Sequence, residues 1–332
     1  MKKVVWGVLG CARIAREKVI PAMQAAHHCD IRAIASRSLE RAQATANALG
    51  IDQAYGSYEA LLADPQIEAI YNPLPNDLHV PLTLQAARAG KHVLCEKPLS
   101  LDAAQAAQLR EVASRVHIME AFMVRFHPQW EHVRARLRTG ELGAVRSIQT
   151  WFSYFNNNPD NIRNHVHQGG GALYDIGCYA VVTARYLYGC EPERVIALFD
   201  RDPQFGTDRT VSALLDFGDG RRLVFTASTQ CVPYQRVQVV GDKKRIEVRI
   251  PFNAPAGKST EVLADDGSAL DGSGIVTTTI APCDQYGLQG DAFSQAIRTQ
   301  APLPWGVDDA VANMRVIDAL FASERSGAWV VP

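Results

Sequence analysis

Several things are scarce in this 332-residue chain, and each scarcity closes a class of explanation. Seven cysteines (Cys11, Cys29, Cys95, Cys178, Cys190, Cys231 and Cys283) are scattered, odd in number and never spaced C-x-x-C, which argues against a disulfide framework or a structural zinc site. Excess charge is absent: 34 basic residues face 35 acidic ones, for a net charge of −1, and no basic block offers a nucleic-acid or membrane-surface footprint. No apolar run approaches the length of a membrane span. The first residues, Met1-Lys2-Lys3-Val4-Val5, run straight into a strand pattern without a signal-peptide core. A cytoplasmic setting is therefore expected. The close histidine pairs, His27-His28 and His165/His167, do not have the H-E-x-x-H spacing that puts two ligands on one helix face, so no metal is expected. With 47% hydrophobic and 21% charged residues, the composition is that of a globular protein long enough for one large domain or two.

Positive signals begin in the first third. Residues 3–9 form a β-rich apolar run that ends in Gly10-Cys11-Ala12-Arg13-Ile14-Ala15, and residues 12–26 read as a helix. Strand, glycine turn and helix in this order make a G-x-A-x-x-A version of the dinucleotide fingerprint. Gly10 permits the tight turn, and the helix start around Ala12, Arg13 and Ile14 offers N–H groups and a positive dipole end to a pyrophosphate. Ala12 stands where a second glycine is usual, so a methyl must fit beside the ligand. A second strand, 31–35, ends in Ser36-Arg37. An NAD site has its acidic ribose ligand about 20 residues after the fingerprint. A hydroxyl and a guanidinium there suit a 2′-phosphate instead. Arg41 lies one turn into the next helix, 39–49, which Gly50 closes. NADP is expected over NAD, against the bland alternative that Arg37 is a surface charge.

A third strand, 69–71, opens into the proline-rich turn 72–79, where Leu74, Asn76 and His79 are set as cofactor-side candidates. Asn76 is expected to cap the helix 80–89. His79 reads equally well as a packed histidine. Next comes the short apolar run 92–95, followed by Glu96-Lys97-Pro98. A buried parallel strand delivers the residues after it to the carboxyl edge, where open α/β sheets bind ligands. Ser100 is expected to cap a helix over 102–114, and 116–119 reads as another strand. Alternating strands and helices predict a doubly wound parallel sheet over residues 1–121.

Beyond Glu120 the pattern changes. A helix is predicted over 128–139 and a long strand over 144–155. Gly169-Gly170-Gly171 opens a helix to about 187, with Asp175 and Tyr179 one turn apart on the same face. The triple glycine suggests backbone that lets a ligand approach. Hairpins are predicted at 210–217/222–227 and 236–240/244–249, a polar excursion at 260–274, a strand at 275–280, and helices at 288–299 and 307–323. The second domain, 122–332, is thus expected to hold an open, mostly antiparallel sheet with helices on one face. Its other face, if apolar, calls for a partner copy, hence a homodimer or homotetramer.

Taken together, Gly10–Ala15, Pro75-Asn76-Asp77-Leu78-His79, Glu96-Lys97-Pro98 and Gly169–Tyr179 resemble the glucose–fructose oxidoreductase / inositol dehydrogenase (Gfo/Idh/MocA) family over nearly the whole chain. The nearer likeness is to members with tyrosine as proton donor, the aldose dehydrogenases and dimeric dihydrodiol dehydrogenases. The resemblance implies an NADP-dependent oxidoreductase of a sugar or polyol. It places Lys97 beside the nicotinamide, with a cis Lys97–Pro98 bond, gives Asp175 the task of orienting the sugar, and gives Tyr179 the hydroxyl proton. It implies that Glu96, Arg125, Arg163 and Tyr286 line the cofactor or substrate pocket. A dihydrodiol dehydrogenase or keto-sugar reductase is the alternative within enzymes. An NADP-sensing regulator on the same fold is the alternative of another class, which the intact Lys97, Asp175 and Tyr179 disfavour.

Overall fold

The computed structural model describes residues 1–332 as two compact units. Met1–Met123 and Asp284–Met314 form the first, and Val124–Cys283 and Arg315–Pro332 the second. The chain therefore returns to its first unit late, a second crossing that a single division at 121/122 does not contain.

The first unit is built on a six-stranded sheet. Its strands are β1 (Val4–Leu9), β2 (Cys29–Ala35), β3 (Gln53–Tyr55), β4 (Ala69–Asn72), β5 (His92–Cys95) and β6 (Ile118–Glu120). Their order is β3-β2-β1-β4-β5-β6 and every pairing is parallel. β1 is buried at all six positions, as a strand covered on both faces must be. The short β3 and the helix Tyr58–Leu62 escape the sequence pattern, being too brief to show a period. The helix Leu39–Leu49 has the expected ends: Ser38 accepts from Arg41 N, and Gly50 takes a left-handed φ of 64°.

Two expected caps are corrected. Asp102, not Ser100, caps the helix Ala103–Gln108 by accepting from Gln105 N at 2.7 Å, while the Ser100 hydroxyl donates to Asp102 O. Asn76 belongs to a single 3₁₀ turn, Asn76–Leu78, and the helix His79–Arg88 directly after it has no side-chain cap. The helix after the fingerprint is also not uniform, with a π segment, Ala15–Val19, before the α-helix Ile20–Ala25.

The helix Gln285–Thr299 completes this unit. Trp6, fully buried, stacks at a tilt on Phe293 with ring centroids 5.5 Å apart and donates to Ser294 Oγ. Gly287 and Gly290 bring the helix so close that an added Cβ would meet Ala22 O at 3.0 Å and Met23 Cγ at 2.9 Å. Asp291 accepts from His27 N and His28 N, and Arg298 pairs with Glu68 and donates to the carbonyls of Lys2 and Lys3.

The second unit holds an eight-stranded sheet. β7 (Val145–Phe155), β8 (Arg194–Arg201), β9 (Asp208–Asp216), β10 (Arg222–Ser228), β11 (Gln230–Gly241), β12 (Arg245–Val248), β13 (Thr260–Asp265) and β14 (Val276–Ile280) lie in the order β14-β13-β12-β11-β7-β10-β9-β8. Only β10–β7 is parallel. Both predicted hairpins form, as β9–β10 and β11–β12. The polar excursion is corrected: its first six residues are β13, paired on both edges, because Val262, Leu263 and Ala264 are buried there.

Side chains alternate across this sheet. Val195, Leu215, Leu223, Ile148 and Val239 line up on one face with no exposure. On the other, Leu198 is 79% exposed, Val224 45% and Trp151 41%. No helix is long and apolar enough to cross a membrane.

Three histidines tie this architecture to pH. Burial holds His79, His92 and His127 down from 6.5 to about 4, with His117 adding to the effect on His92. Nδ1 of His92 accepts from His117 N, and Nδ1 of His127 caps the helix Pro128–Arg138 at Gln129 N; neither bond survives protonation. The unfolded chain takes up these protons below its own pKa of about 6.5, before the folded chain does. Stability is therefore expected to be full above that pH and to fall as pH drops toward 4. A pH series of urea midpoints checks this, and His127→Gln should flatten it; midpoints that rise with acid would contradict it.

Candidate active site

The carboxyl edge of the first sheet gathers most of the fingerprint candidates. Gly10 ends β1 with φ 79°, and a Cβ there would lie 2.7 Å from Leu74 Cδ2 and 3.7 Å from the Tyr58 hydroxyl. Its N–H donates to Ala35 O at the end of β2. Ser36 is buried, and its hydroxyl accepts from Ser38 N. Arg37 and Arg41 lie within electrostatic reach of the Tyr58 phenol, whose pKa burial nonetheless raises. Two guanidiniums, a buried hydroxyl and a phenol thus collect beyond β1 and β2. The helix starts at Arg13, its first turn closed by Arg16 N donating to Ala12 O, and no side chain takes the amides of Arg13, Ile14 or Ala15. Arg13 points away and pairs with Glu17 on the surface, its side chain 83% exposed. A nicotinamide dinucleotide fits this cradle: a glycine where a Cβ has no room, uncapped amides for a pyrophosphate, and cations beside Ser36.

Next along the edge, the turn after β5 is fastened at successive residues. Glu96 N donates to Asn72 O, and the buried Tyr71 hydroxyl donates to Glu96 Oε1 at 2.7 Å. Glu96 Oε2 accepts from Lys97 N at 3.3 Å. The Lys97–Pro98 bond is cis. Pro98 O lies 2.7 Å from His79 Nδ1, while His79 Nε2 lies 2.7 Å from Leu74 O. Leu99 N donates to Glu120 Oε1. His79 is 1% exposed with each ring nitrogen against a carbonyl; the neutral ring has one N–H and so donates to one of Pro98 O and Leu74 O, turned inward rather than reaching outward. Glu96 likewise serves as an acceptor within the fold. Tyr286 sits close enough to Glu96 for the carboxylate to help burial raise its pKa. Lys97 is the half-buried cation on this turn.

In the second unit the π segment Leu173–Gly177 runs into the α-helix Cys178–Tyr188. Asp175 is gripped by two donors: Arg163 Nε lies 3.0 Å from Oδ2, and the Tyr154 hydroxyl donates to the same oxygen. Asp175 and then the Tyr154 phenol push the Arg163 pKa upward, against burial. Tyr154 is held well above its ordinary range by burial and by Asp175. Tyr179 is 6% exposed, edge-on to Phe152 at 5.8 Å and tilted against Phe252 at 5.3 Å. The Arg163 guanidinium is within electrostatic reach of its phenol.

Gly170 and Gly171 do not leave room for a ligand. A Cβ on Gly170 would lie 2.4 Å from Arg163 O, and one on Gly171 would lie 1.9 Å from Asp208 Oδ1. The protein itself fills that space. Arg125 is buried in the 3₁₀ turn Met123–Phe126. Three residues that sequence reasoning passed over stand with the candidates: Tyr58, Tyr154 and Asp208. Tyr154, next to last in β7, carries no motif, so only its pairing with Asp175 reveals it.

Comparison with known proteins gives the family. Residues 4–125 match the oxidoreductase family with an NAD-binding Rossmann fold, and 130–247 match the GFO/IDH/MocA C-terminal domain. Over 333 residues the chain is 40% identical to a D-xylose 1-dehydrogenase (NADP(+)) of Haloferax volcanii, covering 98% of this chain and 99% of that one. The chain belongs to the Gfo/Idh/MocA oxidoreductase family. A 3-ketoreductase from Actinomadura kijaniata, solved with NADP and TDP-benzene, superposes on this member with a TM-score of 0.90 at 30% identity, covering 97% and 98% of the two chains. An aldose-aldose oxidoreductase from Caulobacter crescentus, solved with glycerol, gives 0.90 at 27% identity over the full length of both. This Gfo/Idh/MocA protein is accordingly an NAD(P)-binding oxidoreductase by family.

Gly10→Ala tests the cradle. With φ at 79° and Leu74 in the way, it should lose about 1–3 kcal/mol of stability, the cost of holding a non-glycine residue there. Denaturant titration and NADPH titration should register the loss together, and wild-type behaviour in both would refute the assignment.

Proposed function

We propose that this protein is an NADP-dependent oxidoreductase acting on a hydroxyl-bearing carbon of a sugar or polyol. The observation that carries the reading is the helix face holding Asp175, pinned by Arg163 and Tyr154, with the Tyr179 phenol one turn further on. A fixed carboxylate orients a polyhydroxylated substrate by accepting from its hydroxyls, and a phenol beside it handles the proton. The named activities of the Haloferax and Caulobacter relatives support the sugar class.

A nicotinamide, when bound, supplies hydride transfer to or from the substrate carbon. Gly10, the amides after Ala12, and Ser36, Arg37 and Arg41 would hold the dinucleotide, with the two arginines toward a 2′-phosphate. The protein's own task is the hydroxyl proton. A free phenol has a pKa of about 10, too high for a base near neutrality. Nearby cations favour the phenolate. Arg163 is one such cation for Tyr179. Lys97 is assigned to the reacting oxygen. Run in reverse, the same groups reduce a keto-sugar, a direction the likeness to the 3-ketoreductase supports. The band of Leu198, Val224 and Trp151 on the open sheet face is read as the surface a second copy covers; sedimentation gives the assembly state directly.

The test is turnover of an aldose panel with NADP⁺ or NAD⁺, and of keto-sugars with NADPH, followed by nicotinamide absorbance. Tyr179→Phe should lower kcat by roughly 10²–10⁴-fold with NADPH affinity retained. Lys97→Ala should remove turnover as well. Arg37→Ala should weaken NADP⁺ by about 10-fold or more and leave NAD⁺ unaffected, the scale of one charge-assisted bond to phosphate. NADPH binding without turnover of anything in either panel would favour a nucleotide sensor.

A further inference from the structure

Asp175 and Tyr179 stand on one helix, and the start of a helix leaves N–H groups without partners inside it. No side chain of the local sequence caps this one. The missing partner arrives from the sheet. Asp208, the first residue of β9, is 2% exposed, and its Oδ2 accepts from Leu173 N at 2.7 Å. Its Oδ1 occupies the place a Cβ on Gly171 would take, and Gly171 has φ 118°. The fit is reciprocal: the carboxylate reaches the helix start only because residue 171 has no side chain.

No guanidinium or ammonium pairs with this buried carboxylate. Arg201, the cation within electrostatic reach, is engaged by Glu324 and by Gly206 O. Its charge is met instead by the backbone amides and the positive end of the helix. Burial lifts its pKa from 3.8 to about 7, opposed by the bond from Leu173 N and by Arg201, and reinforced by Glu324. A buried acid without a counter-ion is costly, so its place under this one helix start calls for a task.

The backbone around it shows what it holds. Gly171 N donates to Arg163 O, Asp175 N donates to Gly171 O, and the Arg163 side chain pairs with the Asp175 carboxylate. Gly171, Arg163 and Asp175 therefore form a closed ring of contacts, and Asp208 is wedged against it.

We propose that Asp208 is a positioning residue: it caps the first turn of the helix at Leu173 from the neighbouring strand and thereby fixes where Asp175 and Tyr179 stand. The inference rests on the roles given to those two residues above.

Three variants of the full chain test it. Asp208→Ala removes the acceptor. Gly171→Ala drives a methyl into it from the other side. Asp208→Asn keeps a carbonyl oxygen for Leu173 N. Amide exchange over residues 172–179 should rise in the first two and return toward wild type in the third, with the first unit's sheet unchanged throughout. Turnover of the best substrate should fall about 10–100-fold in the first two, the scale of a small misplacement of reacting groups, with NADPH affinity unchanged, and Asp208→Asn should recover most of it. Unchanged exchange at 172–179 in Asp208→Ala, a uniform rise over the whole chain, or no recovery in Asp208→Asn would overturn the proposal. Should Asp208→Ala fail to fold, Gly171→Ala and Asp208→Asn decide it by the same readings. Should the wild type turn over no sugar, the oxidoreductase reading fails while exchange at 172–179 still decides this one.

Discussion

The hydrogen bond from the buried Tyr71 hydroxyl to Glu96 sets the pattern on which the first unit's chemistry depends. An acid at the end of a buried strand is expensive unless every lone pair is met. Here the phenol and the Lys97 amide donate to the Glu96 carboxylate, Glu96 N donates to Asn72 O, Pro98 O faces a His79 ring nitrogen, and Leu99 N donates to Glu120. Once these bonds form, the backbone carrying Lys97 has few other conformations open to it. The second unit solves the same problem differently: Asp175 takes a guanidinium and a phenol on one oxygen. In both units a partly buried carboxylate is held by a phenol and a second donor, and partial exclusion of water strengthens each bond.

Glycine plays two separate parts in this use of space. At Gly10 it supplies a left-handed turn at a strand end beside Leu74. At Gly170 and Gly171 it makes way for the chain's own Arg163 carbonyl and Asp208 carboxylate. From sequence the two cases look alike, since each precedes a helix. What separates them is a residue 37 positions beyond Gly171, which no local window contains.

That contrast describes what was legible in the sequence and what was not. The parallel sheet was readable because β1, β2 and β5 are short apolar runs bounded by glycine, serine or charge, and the two hairpins because turn residues separate alternating strands. Ser38 and Gly50 marked their helix correctly, since cap chemistry is local. Ser100 and Asn76 misled for the same reason: each is a competent cap residue that lies two positions before the actual N-cap. β13 was hidden by its flanking polar residues and is a strand because β12 and β14 pair with it. At the site, Gly10, Lys97, Asp175 and Tyr179 carried motifs. Tyr58, Tyr154 and Asp208 did not, because their placement is set by contacts distant in sequence.

The return of Asp284–Met314 to the first unit bears on how the chain matures during synthesis. Until those residues leave the ribosome, Trp6 lacks Phe293 and Ser294, the residues leading into β1 lack Arg298, and the face formed by Ala22 and Met23 stays bare. The dinucleotide fold, first in sequence, is thus sealed only after residues 124–283 of the second unit have been made, and a nascent chain arrested before position 284 must keep an unfinished core in solution.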